Sequence, residues 1–468
     1  MNRDFIGLLW LFTEKFGATL ISTVTFLVYS FYLTPAQLGN ATIALSIALI
    51  LSQTIVTVLQ DPIVCAKAVT KSLISSCLWF NLIVATFFLS LICLLAQFNI
   101  SQSELKILIQ SASPVIVFAA VNTIYSALLR RQKKFRALAL RQFYGRIIGA
   151  LVGIGFVYTG FGPLSMVLQM VCIEAFALIS VMLTFTLKPK LSLNWRDVSK
   201  LLSRGVPIAI KKVSWESFAR GIPLVLGVFV SPTQVGFFAF AWRIVDMPRA
   251  AIHSASLSFI LPYFSPSKSS RHTAIDTYLY STKLMSIVTT PFFLLLALFS
   301  EPLLMWIFGE KWQEAAPLVS LLSIVPLLAN FRVFAPSLFT SLNRSNLGTK
   351  TDVMSTILSL LLCAAVAPTY GATAGVMAFI ARMLMNLPIT VLYLKNLIGV
   401  SWRHYVLMYK STYVPLLLVL PIHFSGWITM EGSMLIVQFL IELCLFICLF
   451  LLLEEQKSDF LMKVKHRS

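Results

Sequence analysis

YLTPAQLG, at residues 32–39, is repeated in similar form as FVSPTQVG at residues 229–236. Each copy forms a brief polar break between two long apolar runs. A hydroxyl residue, proline, glutamine, an aliphatic residue and glycine recur in one order at equivalent places. Many transporters are built from two copies of one membrane unit. The repeated phrase therefore predicts a chain made of two related halves.

The composition is that of an integral membrane protein. Hydrophobic residues make up 58% of the chain and charged residues only 12%, with a mean hydropathy of +0.86. This leaves too little polar surface to coat a soluble protein of 52.2 kDa. About 14 apolar runs are long enough to cross the hydrocarbon core as helices. The predicted spans are 9–33, 38–60, 73–97, 107–129, 143–162, 164–187, 205–230, 236–262, 277–299, 315–341, 351–369, 371–394, 411–427 and 433–453.

The basic residues of the loops predict the orientation. Almost all of them fall in alternate loops, with the largest group at residues 130–141, whereas the other loops contain only Lys106 and Lys311. Lys and Arg in short loops stay on the cytoplasmic side during insertion. We therefore expect a multi-pass membrane protein with both termini in the cytoplasm. The net charge of +19 then reflects topology and contact with anionic membrane lipids, and we expect no nucleic-acid partner.

Signatures of catalysis are missing from the sequence. It contains no phosphate-binding G-x-x-x-x-G-K-[ST] loop, no H-E-x-x-H, no G-x-S-x-G and no paired aspartates of the Asp-x-Asp type. We therefore expect a protein that is not an enzyme and that needs neither a metal nor another cofactor.

Charged residues inside the apolar runs give the functional signal. A basic side chain costs about 2.5–3.5 kcal/mol at the centre of a membrane helix, so these side chains should face a polar interior. Arg146 and Lys283 lie near cytoplasmic helix ends, where snorkelling to the lipid headgroups explains them. The candidate substrate-binding residues are Lys15, Lys211, Lys212, Arg220, Arg243, Arg249, Arg332 and Arg382.

Two charged stripes lie on the seventh and eighth predicted spans, at spacings of three and four residues. Counting from the shared break at 231–235 places Arg220 level with Asp246, and Glu216 level with Arg249. We therefore expect ion pairs between the two helices. Such pairs either lower the cost of placing the charged stripes in the membrane and have no other role, or form part of a binding site.

A cationic surplus remains after this pairing, because basic residues outnumber acids on the two helices. Arg332 and Arg382 are expected to add unpaired positive charge at mid-depth. Arginine binds phosphate and carboxylate groups bidentately, so the predicted substrate is an anion. Glu174 is either a protonatable coupling residue or a hydrogen-bonded structural acid.

Four phrases carry a family resemblance: GLLW at 7–10 followed by FG at 16–17, TPAQLG at 34–39, LLRRQKKFRALA at 128–139 and IFGEKWQEAAPL at 307–318. They resemble the polysaccharide exporter branch of the multidrug/oligosaccharidyl-lipid/polysaccharide flippase superfamily. The chain is similar to O-antigen and colanic-acid type flippases from Gly7 to about Tyr393. Phe31 and Gln37 depart from the family pattern, since relatives often carry a basic and an acidic residue there.

The resemblance implies an all-α polytopic fold with two pseudo-symmetric six-helix lobes around a central cavity. The N-terminal lobe would span residues 1–190, the C-terminal lobe 191–400, and residues 401–468 would add helices 13 and 14 and a basic cytoplasmic tail. The implied cargo is a lipid-linked oligosaccharide attached to undecaprenyl pyrophosphate. A polysaccharide polymerase and glycosyltransferases would be further partners.

We therefore expect a flippase that carries this cargo from the cytoplasmic to the periplasmic leaflet of the bacterial inner membrane, by alternating access, for cell-surface polysaccharide such as O-antigen lipopolysaccharide. One alternative is an ion-coupled multidrug exporter, although a cavity for cationic drugs should be acidic or aromatic. Another is a membrane-embedded glycan polymerase or glycosyltransferase. Such enzymes tend to place catalytic residues in a large periplasmic loop, and the longest outer loop here, about 300–314, is small.

Overall fold

The computed structural model is built from α-helices. It describes residues 3–99, 103–184, 190, 192–260, 271–342, 344, 346–405 and 434–454, and no β-strand occurs among them. The helices are α1 (Arg3–Tyr32), α2 (Pro35–Cys65), α3 (Lys71–Asn99), α4 (Ser103–Ala112), α5 (Pro114–Arg131), α6 (Phe135–Tyr158), α7 (Leu164–Thr184), α8 (Trp195–Phe229), α9 (Pro232–Ile260), α10 (Arg271–Leu298), α11 (Ser300–Phe308), α12 (Ala316–Leu322), α13 (Ile324–Asn330), α14 (Ala335–Ser341), α15 (Asn346–Tyr370), α16 (Thr373–Ile398) and α17 (Met434–Glu454). A 3₁₀ helix, Glu310–Ala315, joins α11 to α12.

The helices fall where the apolar runs predict them. Every predicted span coincides with a helix or a series of short helices, except 411–427, which lies outside the described residues. Within the described part of the chain, nine helical segments are long and apolar enough to cross a membrane. α8 and α9 have the length, at 35 and 29 residues, but charged stripes interrupt their apolar windows. The protein is thus an all-α polytopic membrane protein.

The helix surfaces also fit a membrane. Large apolar side chains such as Leu151 and Leu183 are 67% and 82% exposed. Lipid tails can cover such faces, and the backbone hydrogen bonds of a helix are satisfied internally.

The repeated phrase is the start of a helix in both copies. Thr34 caps α2: its hydroxyl accepts from the Gln37 N–H at 3.3 Å, and the Gln37 side chain accepts from the Thr34 N–H at 3.1 Å. Proline follows the cap, where its missing N–H costs nothing. α9 begins at Pro232, directly after Ser231. Both helices therefore begin three or four residues before the predicted spans, because the phrase supplies its own cap.

Contacts divide the chain into two compact units. Unit 1 comprises Met1–Phe240 and Leu360–Gly375, and unit 2 comprises Ala241–Ser359 and Val376–Ser468. Unit 1 contains one apolar core around Leu59, Ile124 and Val198 and another around Val115 and Val167. The core of unit 2 gathers Tyr278, Phe334, Leu338, Leu394 and Tyr405.

Within unit 1, the two copies of the phrase contact each other reciprocally. A Cβ added at Gly39 would overlap the carbonyl of Pro232, and a Cβ added at Gly236 would overlap the carbonyl of Pro35. The glycine of each copy thus packs against the proline of the other. Only glycine permits this backbone approach, so the repeat in the sequence becomes a two-fold contact in the fold.

The glutamines of the phrase continue this symmetry. Gln37 lies against Gly162, in the turn between α6 and α7, and Gln234 lies against Gly371, in the turn between α15 and α16. Both glycines are left-handed, with φ of +56° and +57°. Each copy therefore helps to anchor a tight turn that glycine allows.

α2 and α8 also pack closely away from the phrase. The backbone at Gly205 meets the carbonyl of Val58, and the side chain of Ile43 fills the space beside Gly227. Small residues at these positions let the two helix backbones approach, as is common in membrane proteins.

Candidate substrate-binding site

The charged stripe of α8 forms an ion pair along the helix. Arg220 Nε donates to Glu216 Oε2 at 3.2 Å, and both side chains remain partly exposed. Their i,i+4 spacing places them on one face. Lys15 on α1 and Lys211 and Lys212 on α8 belong to described helices, but their side chains lie outside the described part of the structure.

The stripe of α9 holds an arginine between a carboxylate and an aromatic ring. Arg249 Nε donates to Asp246 Oδ1 at 2.9 Å, and the Arg249 guanidinium carbon lies 5.9 Å from the centroid of the Trp242 ring. Trp242 in turn stacks on Phe379 of α16, with centroids 4.0 Å apart. Arg243, next to Trp242 in the chain, is half-buried. These contacts fix the direction of the Arg249 side chain.

The pairing of these charges differs from the expectation. The sequence predicted ion pairs between two helices, whereas the structure joins Glu216 to Arg220 and Asp246 to Arg249, each within its own helix. Residues three and four apart on a helix are about 5–6 Å apart at Cβ, so they meet without any help from tertiary packing. Equal depth in the membrane does not identify partners when such a neighbour is present.

The tenth predicted span, 315–341, is three short helices, α12, α13 and α14, and not one. Pro336 explains the break at 331–334. It has no N–H to donate to the carbonyl of Arg332, four residues earlier, so the Ala335 N–H bonds that carbonyl at 3.0 Å. The Phe331 carbonyl, which Ala335 would bond in a continuous helix, is left for another donor.

Two tyrosine hydroxyls donate to the Phe331 carbonyl in place of the Ala335 N–H. Tyr278 Oη, on α10, donates to the Phe331 carbonyl at 3.1 Å, and Tyr405 Oη does so at 2.9 Å. The two hydroxyl oxygens are also 2.9 Å apart, and both side chains are buried. Each hydroxyl has a single proton to donate. Only two of these three contacts can therefore be hydrogen bonds at any one time. Asn330, the last residue of α13, donates to Thr289 Oγ1 at 2.6 Å and fixes the other side of the break.

The break positions Arg332 in a buried charge cluster. Arg332 donates to Asp352 Oδ1, on α15, at 2.9 Å. Arg382, on α16, is 2% exposed and is close enough to both residues for its charge to interact with theirs. One turn along, Asn386 donates to Ser355 Oγ at 2.7 Å and ties α15 to α16. The expectation that Arg332 is unpaired was therefore wrong, because nothing in the sequence pattern indicates that Asp352 lies beside it.

Basic side chains outnumber acidic ones among the described charged residues embedded in unit 2. The embedded arginines of unit 2 on α9, on α16 and at the break are Arg243, Arg249, Arg332 and Arg382, and the acids beside them in the described residues are Asp246 and Asp352. A guanidinium has five N–H donors, so an arginine that is paired with one carboxylate can still bind a second oxyanion. The arrangement is suited to phosphate or another anion.

A second polar cluster lies in unit 1 around Glu174, on α7. Asn122 Nδ2 donates to Glu174 Oε2 at 2.9 Å and to its backbone carbonyl at 3.1 Å. Arg141 and Arg146 are close enough to interact electrostatically with the carboxylate. Arg146 also donates to Ser22 Oγ, on α1, at 2.6 Å, where the sequence predicted snorkelling. The sequence left two roles open for Glu174, a hydrogen-bonded structural acid and a protonatable coupling residue. These contacts fit the structural role.

Two buried polar features were missed from the sequence. Counting depth from the turn at 159–163, as was done for the break at 231–235, places Glu174 near the level of Arg146 and would have pointed to this cluster. Glu442, midway along α17, is fully buried and accepts from Gln438 Nε2 at 3.1 Å. The signal that could have identified Glu442 is a single acidic residue within an apolar helix.

The chain matches a known protein family and several of its members. Residues 31–317, more than half of the chain, match the model of a polysaccharide biosynthesis protein. The chain is 20% identical over 318 residues to the succinoglycan biosynthesis transport protein ExoT of Rhizobium meliloti, covering 67% of this chain and 64% of that one. It is 22% identical over 215 residues to the lipopolysaccharide biosynthesis protein WzxC of Escherichia coli, covering 45% and 43%. It is 21% identical over 229 residues to the teichuronic acid biosynthesis protein TuaB of Bacillus subtilis, covering 48% and 47%. The matched region thus spans about half to two thirds of these relatives.

Solved structures define the fold. The chain superposes on the lipid II flippase MurJ in an inward closed conformation with a TM-score of 0.81 at 13% identity, covering 96% of this chain and 99% of that one. It also matches an inward-facing multidrug resistance MATE family transporter, with a TM-score of 0.57 at 14% identity, covering 84% and 96%. Identities this low establish the fold alone. The chain therefore belongs to the polysaccharide biosynthesis protein family and has the fold of the multidrug/oligosaccharidyl-lipid/polysaccharide flippase superfamily.

Proposed function

We propose that this protein is a flippase that moves an undecaprenyl-pyrophosphate-linked oligosaccharide from the cytoplasmic to the periplasmic leaflet of the inner membrane. Family membership supports a role in cell-surface polysaccharide synthesis. The names of relatives support transport, since ExoT is a transport protein and Agl15 of Haloferax volcanii, 22% identical over 183 residues, is a probable glycan biosynthesis flippase. The surplus of basic residues in alternate loops supports cytoplasmic termini.

The cluster of Arg332, Asp352 and Arg382 is the observation that carries the proposal. It combines two guanidinium groups with one carboxylate inside a membrane protein, and Arg382 is buried. A pyrophosphate is a compact group of negative charge that cannot enter the hydrocarbon core alone, and arginines are the side chains that bind it in a fixed geometry. Drugs that are cations would be repelled by the same cluster.

The proposed division of labour follows from this chemistry. In unit 2, Arg332 and Arg382, with Arg243 and Arg249, bind the pyrophosphate and any acidic sugars. In unit 1, Lys15, Lys211, Lys212 and Arg220 stay candidate substrate-binding residues. The prenyl chain stays in lipid, where it needs no polar partner. Transport by alternating access requires helices that bend, and the break at 331–334 places Arg332 at a point where α13 and α14 can change their angle.

The proposal also includes the lobes that the sequence suggests. Residues 1–190 would form the N-terminal lobe, 191–400 the C-terminal lobe, and 401–468 an addition beyond the twelve-helix core. The repeated phrase is the marker of this duplication.

Liposomes that contain the pure protein and a fluorescent lipid-linked oligosaccharide test the function. We expect the labelled lipid to reach the opposite leaflet, where a membrane-impermeant quencher or lectin detects it, and we expect mass spectrometry to show an unchanged molecule. An elongated or newly linked glycan would instead identify a polymerase or glycosyltransferase. Failure to move the lipid, together with ion-driven efflux of cationic dyes, would identify a drug exporter.

A further inference from the structure

Unit 1 contains a cavity of about 240 Å³ between α5, α6 and α7. Its walls are mostly apolar, with Leu140, Phe176 and Val181 among them. The polar residues that line it are Arg141, Tyr144, Ser180 and Thr184, and the Ser180 and Thr184 hydroxyls donate to backbone carbonyls of their own helix. The volume equals that of about eight water molecules in the liquid, which is room for a phosphate group and a few methylenes.

Arg141 is the charged group of the cavity. It is only 8% exposed, and it lies six residues after the start of α6, or about 9 Å along the helix axis. Its charge interacts with that of Glu174 on α7. Arg146 interacts with the same carboxylate, so two guanidinium groups share one negative charge and the cluster keeps a positive charge that attracts an oxyanion.

The cavity lies at one end of its three helices. α5 ends at Arg131 and α6 begins at Phe135, and the basic turn between them exposes Lys133 and Lys134. Arg131 donates to the carbonyl of Val64 at 3.0 Å and so ties this turn to the end of α2. A helix end that carries exposed basic residues is expected at the level of anionic headgroups.

Apolar side chains are exposed beside the cavity. Tyr144, which lines it, is 50% exposed, and Leu183 on α7 is 82% exposed. A molecule that fills the cavity can therefore extend along a surface that is itself apolar. A free inorganic anion would gain nothing from these walls, whereas a lipid has both the anionic group and the hydrocarbon that they fit.

We propose that this cavity binds one phospholipid with an anionic headgroup. The headgroup phosphate accepts from the Arg141 guanidinium, and the first methylenes of an acyl chain pack against Leu140 and Phe176. The exposed lysines of the turn contribute long-range attraction. This site involves none of the residues assigned to the transported cargo and does not depend on the proposed function.

Native mass spectrometry of the full chain, released from detergent with defined lipids, tests the proposal. With phosphatidylglycerol and phosphatidylcholine present in equal amounts, we expect the first bound lipid to be phosphatidylglycerol at least ten times more often. Arg141→Gln should reduce this ratio to near one. Ser180→Phe, which keeps the charge but fills the cavity, should remove the bound lipid. Arg136→Gln, an exposed arginine on the same helix, is the matched control and should behave as the wild type.

Three results would overturn the proposal. The first is unchanged phosphatidylglycerol preference in Arg141→Gln, and the second is an unchanged bound lipid in Ser180→Phe while its thermal unfolding midpoint matches the wild type. The third is displacement of the lipid by 10 mM inorganic phosphate, on the order of the concentration at which weak anion sites fill, which would indicate a site for free anions. If Ser180→Phe unfolds early, Arg141→Gln alone decides.

Discussion

At the residue scale, the proposed binding chemistry rests on embedded arginines that lie beside carboxylates. Arg332 bonds Asp352 and Arg249 bonds Asp246. The sequence identified these arginines by their position inside apolar runs. It did not identify their partners, because Asp352 is 20 residues from Arg332 in the chain and only the packing of α15 on the break brings them together.

We predict strong coupling between Arg332 and Asp352. Asp352→Asn leaves Arg332 and Arg382 facing each other without a carboxylate, and Arg332→Gln leaves the carboxylate with one partner fewer. Each should lower the free energy of unfolding by about 2 kcal/mol or more. The double variant should lose less than the sum, by about 1–3 kcal/mol, because it removes both ends of the pair. Thermal or denaturant unfolding in detergent measures this, and additive losses would show that the pair is not formed.

At the element scale, the sequence patterns did not predict the break between α13 and α14 with its hydrogen bonds. Prolines in the tenth span predicted bending, and Pro336 does account for the lost helical bond. The donors that replace it come from Tyr278 and Tyr405, on either side of the break in the chain, and no spacing rule points to them. The starts of α2 and α9 were predicted three and four residues late, although the Thr-Pro-x-Gln phrase before α2 is a capping box that marks the start.

We predict that either tyrosine hydroxyl can satisfy the Phe331 carbonyl when the other is removed. Tyr278→Phe or Tyr405→Phe alone leaves one hydroxyl on the Phe331 carbonyl and should cost about 1 kcal/mol of unfolding free energy. The double variant leaves a buried carbonyl without a donor and should cost clearly more than the two single losses combined. Tyr393→Phe is the control, because Tyr393 packs its ring against Phe339. Equal and additive effects of the two single changes would argue against a shared carbonyl.

The reciprocal contact of the repeated phrase yields a prediction about helix packing. Gly236→Ala places a methyl group against the Pro35 carbonyl and should destabilise the protein by about 1–3 kcal/mol. Gly155→Ala, on an exposed face of α6 with nothing within 4 Å, should stabilise it by up to about 1 kcal/mol. Unfolding midpoints in detergent compare the two. A Gly236→Ala protein as stable as Gly155→Ala would mean that the two copies of the phrase do not touch.

At the scale of the whole molecule, the sequence predicted the membrane class, the helices and the duplication well. These properties follow from run lengths and repeated residues, which are local. The lobe boundaries at 190 and 400 stay a prediction, and the span 411–427 lies outside the described residues. Glu216 and Asp246 each pair within their own helix, and pairing between the two helices stays a prediction.

The central claim is that embedded arginines bind the anionic part of a lipid-linked oligosaccharide. The most direct measurement compares translocation of the labelled lipid in liposomes by the wild type, Arg382→Gln, Arg332→Gln and the exposed control Arg344→Gln. Loss of one charge-assisted contact is worth about 1.5–3 kcal/mol, so we predict that Arg382→Gln and Arg332→Gln slow translocation at least about tenfold. Arg344→Gln should match the wild type. Wild-type translocation by folded Arg382→Gln and Arg332→Gln proteins would contradict the claim.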